Sequence, residues 1–167
     1  MFQLKPISKD GIPRALEKAE RYRLLNEPKE AESICLDIIE VDPGNQQALI
    51  TLLLALTDQF DATSPQSGLR MRAREILGKL SGDYERAYYA GIIHERKARA
   101  QLKQGFLGAG SLAYEGFREA MDWYERAESI RPPGNDDTEL RWNCCARAIM
   151  EHRLEARQEE THQPMLE

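Results

Sequence analysis

Apolar residues recur along this chain at the 3.6-residue spacing of helices, in segments punctuated by proline, glycine and asparagine. In the segment 12–25, Leu16, Ala19 and Tyr22 or Arg23 share one face; in 28–43, Ala31, Ile34, Cys35, Ile38 and Ile39 do. Only Asn26 and Glu27 separate the two, and Pro28 suits a first helical turn, where its missing N–H removes no bond. The pattern therefore predicts a helical hairpin. Asp42-Pro43-Gly44 stops the second helix, and Asn45 is placed to cap a third over 46–60. That third segment is almost continuously apolar, which predicts burial on most of its sides.

Further along, "DATSPQSG" (61–68) is loop chemistry, and helical spacing resumes over 69–80 through Leu69, Ala73, Ile76, Leu77 and Leu80. Ser81-Gly82-Asp83 ends that helix and starts a long one to about 104. The glycine-rich "GFLGAG" breaks it, another helix runs from about 111 to 131, and Pro132-Pro133-Gly134 closes it. A seventh helix over about 136–158 carries Leu140, Cys144, Ile149 and Leu154, and residues 159–167 read as a disordered polar tail. The expectation is an all-α chain of about seven helices forming one domain over 1–160.

Composition narrows the function more than the fold. The 23 basic and 28 acidic residues are interspersed and leave a net charge of −5, so no single-sign field offers itself to a nucleic acid. The longest apolar run, 48–56, is less than half the roughly 20 residues a membrane span needs, and "MFQLKPISKDG" has no apolar core of a secretory signal. Of the three cysteines, Cys144 and Cys145 are helical neighbours and Cys35 is isolated, unlike a disulfide scaffold. A soluble, cytoplasmic protein with neither nucleic-acid nor membrane partner is expected.

The helices repeat as pairs. Ala19, Tyr22, Ala31 and Pro43 in the first pair answer to Gly91, Ala120, Tyr124, Ala127 and Pro132 in the third, and with these residues the chain resembles the tetratricopeptide repeat (TPR) family. The resemblance covers about 12–134 and implies an antiparallel helix-pair solenoid of three units, about 12–45, 46–82 and 83–134, with the seventh helix as a cap. The middle unit departs from the pattern: it has Leu49, Leu52, Leu53 and Leu56, then Ala73, Leu77 and Leu80, but no closing proline. Relative to an uninterrupted repeat, the second unit gains about eight residues and the third about seventeen. The third insertion should make a helical hairpin over 98–117 that projects by on the order of 10 Å.

In TPR arrays the first helices of successive units line a concave groove that holds a peptide or helix. The resemblance places Leu16, Glu20, Arg23 and Leu24 there from the first unit, Ile50, Leu54 and Thr57 from the second, and Tyr88, Ile92, Glu95 and Arg96 from the third. A family subclass grips terminal carboxylates with a Lys/Asn/Arg clamp. Here those places hold Leu16, Glu20, Thr51, Glu85 and Tyr89, so carboxylate capture by a clamp is not expected.

Other candidate chemistry is thin. "GFLGAGS" (105–111) lacks the Gly-Lys-Ser/Thr ending of a phosphate loop and follows a helix, so it reads as a turn, with Phe106, Leu107, Leu112, Tyr114 and Phe117 covering the hairpin against Ala98 and Leu102. His94-Glu95 and Glu151-His152 are helical neighbours that do not share a face, His162 stands alone, and Cys144-Cys145 lacks a second pair. Trp123 and Trp142 read as core or interface. No nucleophile and base are spaced for catalysis, so no catalytic residue, cofactor or metal is expected. The reading is a non-enzymatic protein-interaction module with an apolar groove, the alternative being a subunit of a homo-oligomer or larger assembly that uses the groove or the projecting hairpin. At that hairpin's tip Phe106 and Leu107 flank glycines and cannot both point inward easily, so at least one is expected to be exposed as a contact.

Overall fold

The computed structural model describes residues 1–61 and 68–158. After an extended start and a short 3-10 turn at Lys9–Gly11 come α1 (Ile12–Leu24), α2 (Pro28–Val41), α3 (Gln46–Thr57), α4 (Leu69–Leu77), α5 (Asp83–Gln104), α6 (Ala109–Glu128) and α7 (Asp137–Glu151). Among the described residues there is no strand. The local signals act as expected. Pro13 and Pro28 sit in the first turns of α1 and α2. Asn26 takes the left-handed conformation (φ 59°) that closes the tight link between them. The Asn45 side chain caps α3 by accepting from the Ala48 N–H at 2.9 Å.

Each helix packs on the next along the chain, and in addition α1 touches α3 and α3 touches α5. The aliphatic core is built on α3. Its Leu49, Leu52, Leu53 and Leu56 are buried among Ala19 of α1, Cys35 of α2, Ala73 and Ile76 of α4, and Ile93 and Ala100 of α5. A smaller cluster beside it joins Ile12, Leu16, Ile38 and Ala48.

The α5–α6 pair is held differently, by close approach. A Cβ added at Gly91 would lie 2.7 Å from Cδ1 of Tyr124, and one at Gly116 would lie 2.9 Å from the Cβ of Ala98. These pairings, 91 with 124 and 98 with 116, make the two helices antiparallel. Ala113, Phe117, Ala120, Tyr124 and Ala127 complete the seam and are buried.

Four expectations are corrected. The face of α7 that docks is Thr138, Cys145 and Ala148, flanked by Trp142 and Ile149, whereas Leu140 is 63% exposed. Small residues let α7 close on its neighbours, and Arg141 reaches a buried carboxylate from this face, so the larger Leu140 turns outward. α7 also ends at Glu151 instead of continuing to about 158. Next, the hairpin's inner face is Ala98, Ala113, Gly116 and Phe117, while Phe106, Leu107 and Leu112 are exposed. Last, the hairpin does not stand alone. Ala100 belongs to the α3 core, Lys103 pairs with Asp61 at 3.3 Å, and Leu154, beyond α7, lies within van der Waals distance of where a Cβ on Gly110 would sit. The body of the protein thus supports it almost to its turn, where Gly105 (φ 64°) and Gly108 (φ 83°) take conformations that disfavour other residues. The expected loop at 62–67 and tail at 159–167 lie outside the described residues.

Candidate interaction surface

The inner helices place the groove residues unequally. Leu16 is buried with Ile38 and Ala48; Thr57 is buried and donates its hydroxyl to the Leu54 carbonyl at 2.8 Å; Ile92 is buried with the α6 cluster. These three present little side-chain surface to a partner. Glu20 is exposed, and Leu24, 87% exposed, lies outside every core cluster. Ile50, Leu54 and Tyr88 are half-buried, and Leu54, Tyr88 and Tyr89 pack over the cluster that contains Ile92. Tyr88 stacks on Tyr84 with centroids 5.8 Å apart and meets Tyr89 edge-on at 5.0 Å, giving an aromatic ledge at the start of α5.

Polar contacts tie the three helices together. Arg23 of α1 donates from Nε to Asp58 Oδ2 at 2.8 Å, just beyond α3, and Arg96 of α5 approaches the other oxygen of the same carboxylate at 3.6 Å. What the fold assembles is therefore a surface with Ile50, Leu54, Tyr88 and Tyr89 as its apolar part and the Arg23–Asp58–Arg96 group beside it. The places of the absent carboxylate clamp do not supply one here: Leu16 and Thr51 are buried, and Glu20 and Glu85 are acidic.

Glu95 needs correction as a groove residue, because it is completely buried. Its carboxylate accepts from Tyr124 Oη at 2.7 Å, Arg99 Nε at 3.0 Å and Arg141 Nε at 3.1 Å, with Arg141 Nη2 on the other oxygen. Arg99 also donates to Cys144 Sγ at 3.1 Å and lies over the Phe117 ring. Burial pushes the Tyr124 phenol above its usual range, and the neighbouring carboxylate adds to that. For Arg141 burial alone would favour losing the proton, but Glu95 and Tyr124 outweigh it and hold the guanidinium charged. Burial and then Glu95 likewise raise the Cys145 thiol. Four hydrogen bonds converge on this one carboxylate, and through them the group joins α5, α6 and α7. Sequence reasoning missed it because Tyr124 and Arg141 stand 29 and 46 residues away.

The remaining candidates are placed as follows. His94 Nδ1 stands 2.8 Å from Glu119 Oε2 but off the axis of a hydrogen bond, and burial lowers its pKa against the pull of Glu119. His152 is exposed, and His162 lies outside the described residues. Cys35 is buried and its thiol is pushed up to about 12, chiefly by burial. Among the described residues no group of three His, Cys, Asp or Glu is gathered as a metal would require, and no helix is long and apolar enough to cross a membrane. Trp123 lies under Arg126 and borders an outer groove of about 520 Å³ floored by Ala87, Ala90 and Ile93, while Trp142 donates to Glu125 at 3.0 Å. At the hairpin tip Leu107 is fully exposed and Phe106 is 44% exposed. Compared with family models, curated proteins and solved structures, the chain matches none.

Proposed function

We propose that this chain is a non-catalytic, cytoplasmic protein-interaction module: a TPR-like solenoid of three helix pairs capped by α7, holding a peptide or helix of another protein against its α1–α3–α5 face. The observation that carries the reading is the packing of alternate helices. α1 on α3 and α3 on α5 is the adjacency that successive first helices of stacked pairs require, and it produces one continuous surface with half-buried Ile50, Leu54 and Tyr88 at its centre. Gly91 against Tyr124, with Ala120 and Ala127 sealed beside them, supports the repeat register on which the resemblance rests. The three cysteines, all free, suit a reducing compartment.

Selection of random peptides of about 16 residues, roughly four helical turns, on the immobilised protein tests this reading. Binders should lose about tenfold or more in affinity on Leu54→Glu, which sets a charge in the apolar part of the surface. Binders indifferent to Leu54→Glu would contradict the groove.

A second reading, self-association or attachment to a larger assembly through the hairpin tip, is favoured by the exposure of Leu107 and Phe106. Light scattering over a dilution series decides it. A concentration-dependent dimer abolished by Phe106→Ser with Leu107→Ser would establish the tip as a contact, and a monomer throughout would leave the groove.

A further inference from the structure

The groove-facing side of α5 continues past the aromatic ledge. Glu85, Ile92, Arg96, Arg99 and Lys103 follow one another at spacings of seven, four, three and four residues, so they share a face. Its two ends differ in sign: Glu85 lies one way, and the three cations lie together at the other.

The cations there outnumber the carboxylates that face them. Asp58 is shared by Arg23 and Arg96, Glu95 by Arg99, Arg141 and Tyr124, and exposed Asp61 meets Lys103. Five cationic side chains thus draw on three acids. Among the described residues Arg96 fares worst: its only ion pair there is the long one to Asp58, and its Nε is buried without a hydrogen-bond partner among them. Residues 62–67, next to Asp61, contain no acidic side chain. Buried donors are nearly always paired, and the Arg96 side chain is 34% exposed, so its guanidinium remains reachable from the groove.

We infer that the occupant of the groove is an acidic amphipathic helix, presenting carboxylates at helical spacing to Arg96, Arg99 and Lys103 and an apolar side chain to Leu54 and Tyr89. The inference rests on the groove reading and adds the chemistry and orientation of the partner. A long polyanion fits poorly, because about 16 Å along α5 from Arg96, at 1.5 Å per residue, it meets Glu85. A helix acidic at one end only meets both signs correctly.

The peptides selected on the full chain supply the test. Those that Leu54→Glu weakens should carry Asp or Glu at i, i+3 or i+4, and i+7, should lose about tenfold or more on Arg96→Gln and less on Lys103→Gln, and should weaken as salt rises from about 50 to about 500 mM. Lys103 is 73% exposed, so its variant gives a readout free of folding effects, and circular dichroism checks that Arg96→Gln is folded. Neutral or basic binders lost on Leu54→Glu but untouched by Arg96→Gln and Lys103→Gln would overturn this inference and leave the groove standing. Binders indifferent to all three substitutions would overturn both.

Discussion

Around α3 the interior is made of aliphatic volume: four buried leucines face Cys35, Ala73, Ile76 and Ile93, and the buried polar groups there are Thr51, Thr57 and Gln59, of which Thr57 and Gln59 donate to carbonyls of α3. Between α5, α6 and α7 the seam is glycine and alanine, Gly91, Ala98, Ala113, Gly116 and Ala120, and the largest buried side chain, Tyr124, delivers its hydroxyl to a buried carboxylate. The first region tolerates imprecision, since leucines can shift into one another's space. The second does not. The Tyr124 ring fills the space a Cβ at Gly91 would need, and Glu95 is acceptable there only while its donors remain in place.

Breaking the polar seam should have the largest effect. Glu95→Ala strands Arg141 and Tyr124 beside the place the carboxylate leaves and should cost about 3–5 kcal/mol in denaturant unfolding. Replacing Glu95, Arg141 and Tyr124 together by Leu, Met and Phe should recover most of that loss, because the penalty lies in the unpaired charge. A triple variant no better than Glu95→Ala would show that packing, not charge, governs this half. In the aliphatic half Leu53→Ala should cost about 2–5 kcal/mol by the same measurement, with no comparable rescue from a second site. Parity of that variant with the parent protein would dissolve the contrast.

The smallest effect concerns pH. Burial holds the His94 pKa below its ordinary value of 6.5, so the folded state binds this proton less readily than the unfolded chain. Its contribution to stability is therefore present above pH 6.5 and lost as the pH falls through the lower folded value. Stability measured between pH 7 and about 5 should decline less steeply in His94→Gln than in the parent. Identical slopes would remove His94 from the account of the α5–α6 seam.

The same contrast explains what the sequence disclosed. The run of leucines in α3 announces burial on most sides, because hydrophobicity is written residue by residue. Gly91, Ala120, Tyr124 and Ala127 were legible as a close helix pair from their spacing. Glu95 was not: a glutamate in a helix reads as solvated until the fold brings Tyr124 and Arg141 to it. The docking face of α7 was misread for a related reason, since Cys145 and Ala148 are weaker apolar signals than Leu140, which is exposed. Of the proposed groove, Ile50, Leu54, Tyr88 and Arg96 are accessible as half-buried positions, whereas Leu16, Thr57, Ile92 and Glu95 are taken up by the interior. The basic run through Arg99 and Lys103 went unnoticed because the insertion that carries it lies beyond the part of α5 the repeat pattern describes.

The most direct test of the binding account is an amide-resolved NMR titration of the intact chain with the tightest of the selected peptides. The account predicts chemical-shift changes centred on Ile50, Leu54, Tyr88, Tyr89 and Arg96. Changes confined to 105–112 at the hairpin tip, or to the outer groove around Trp123, would contradict it.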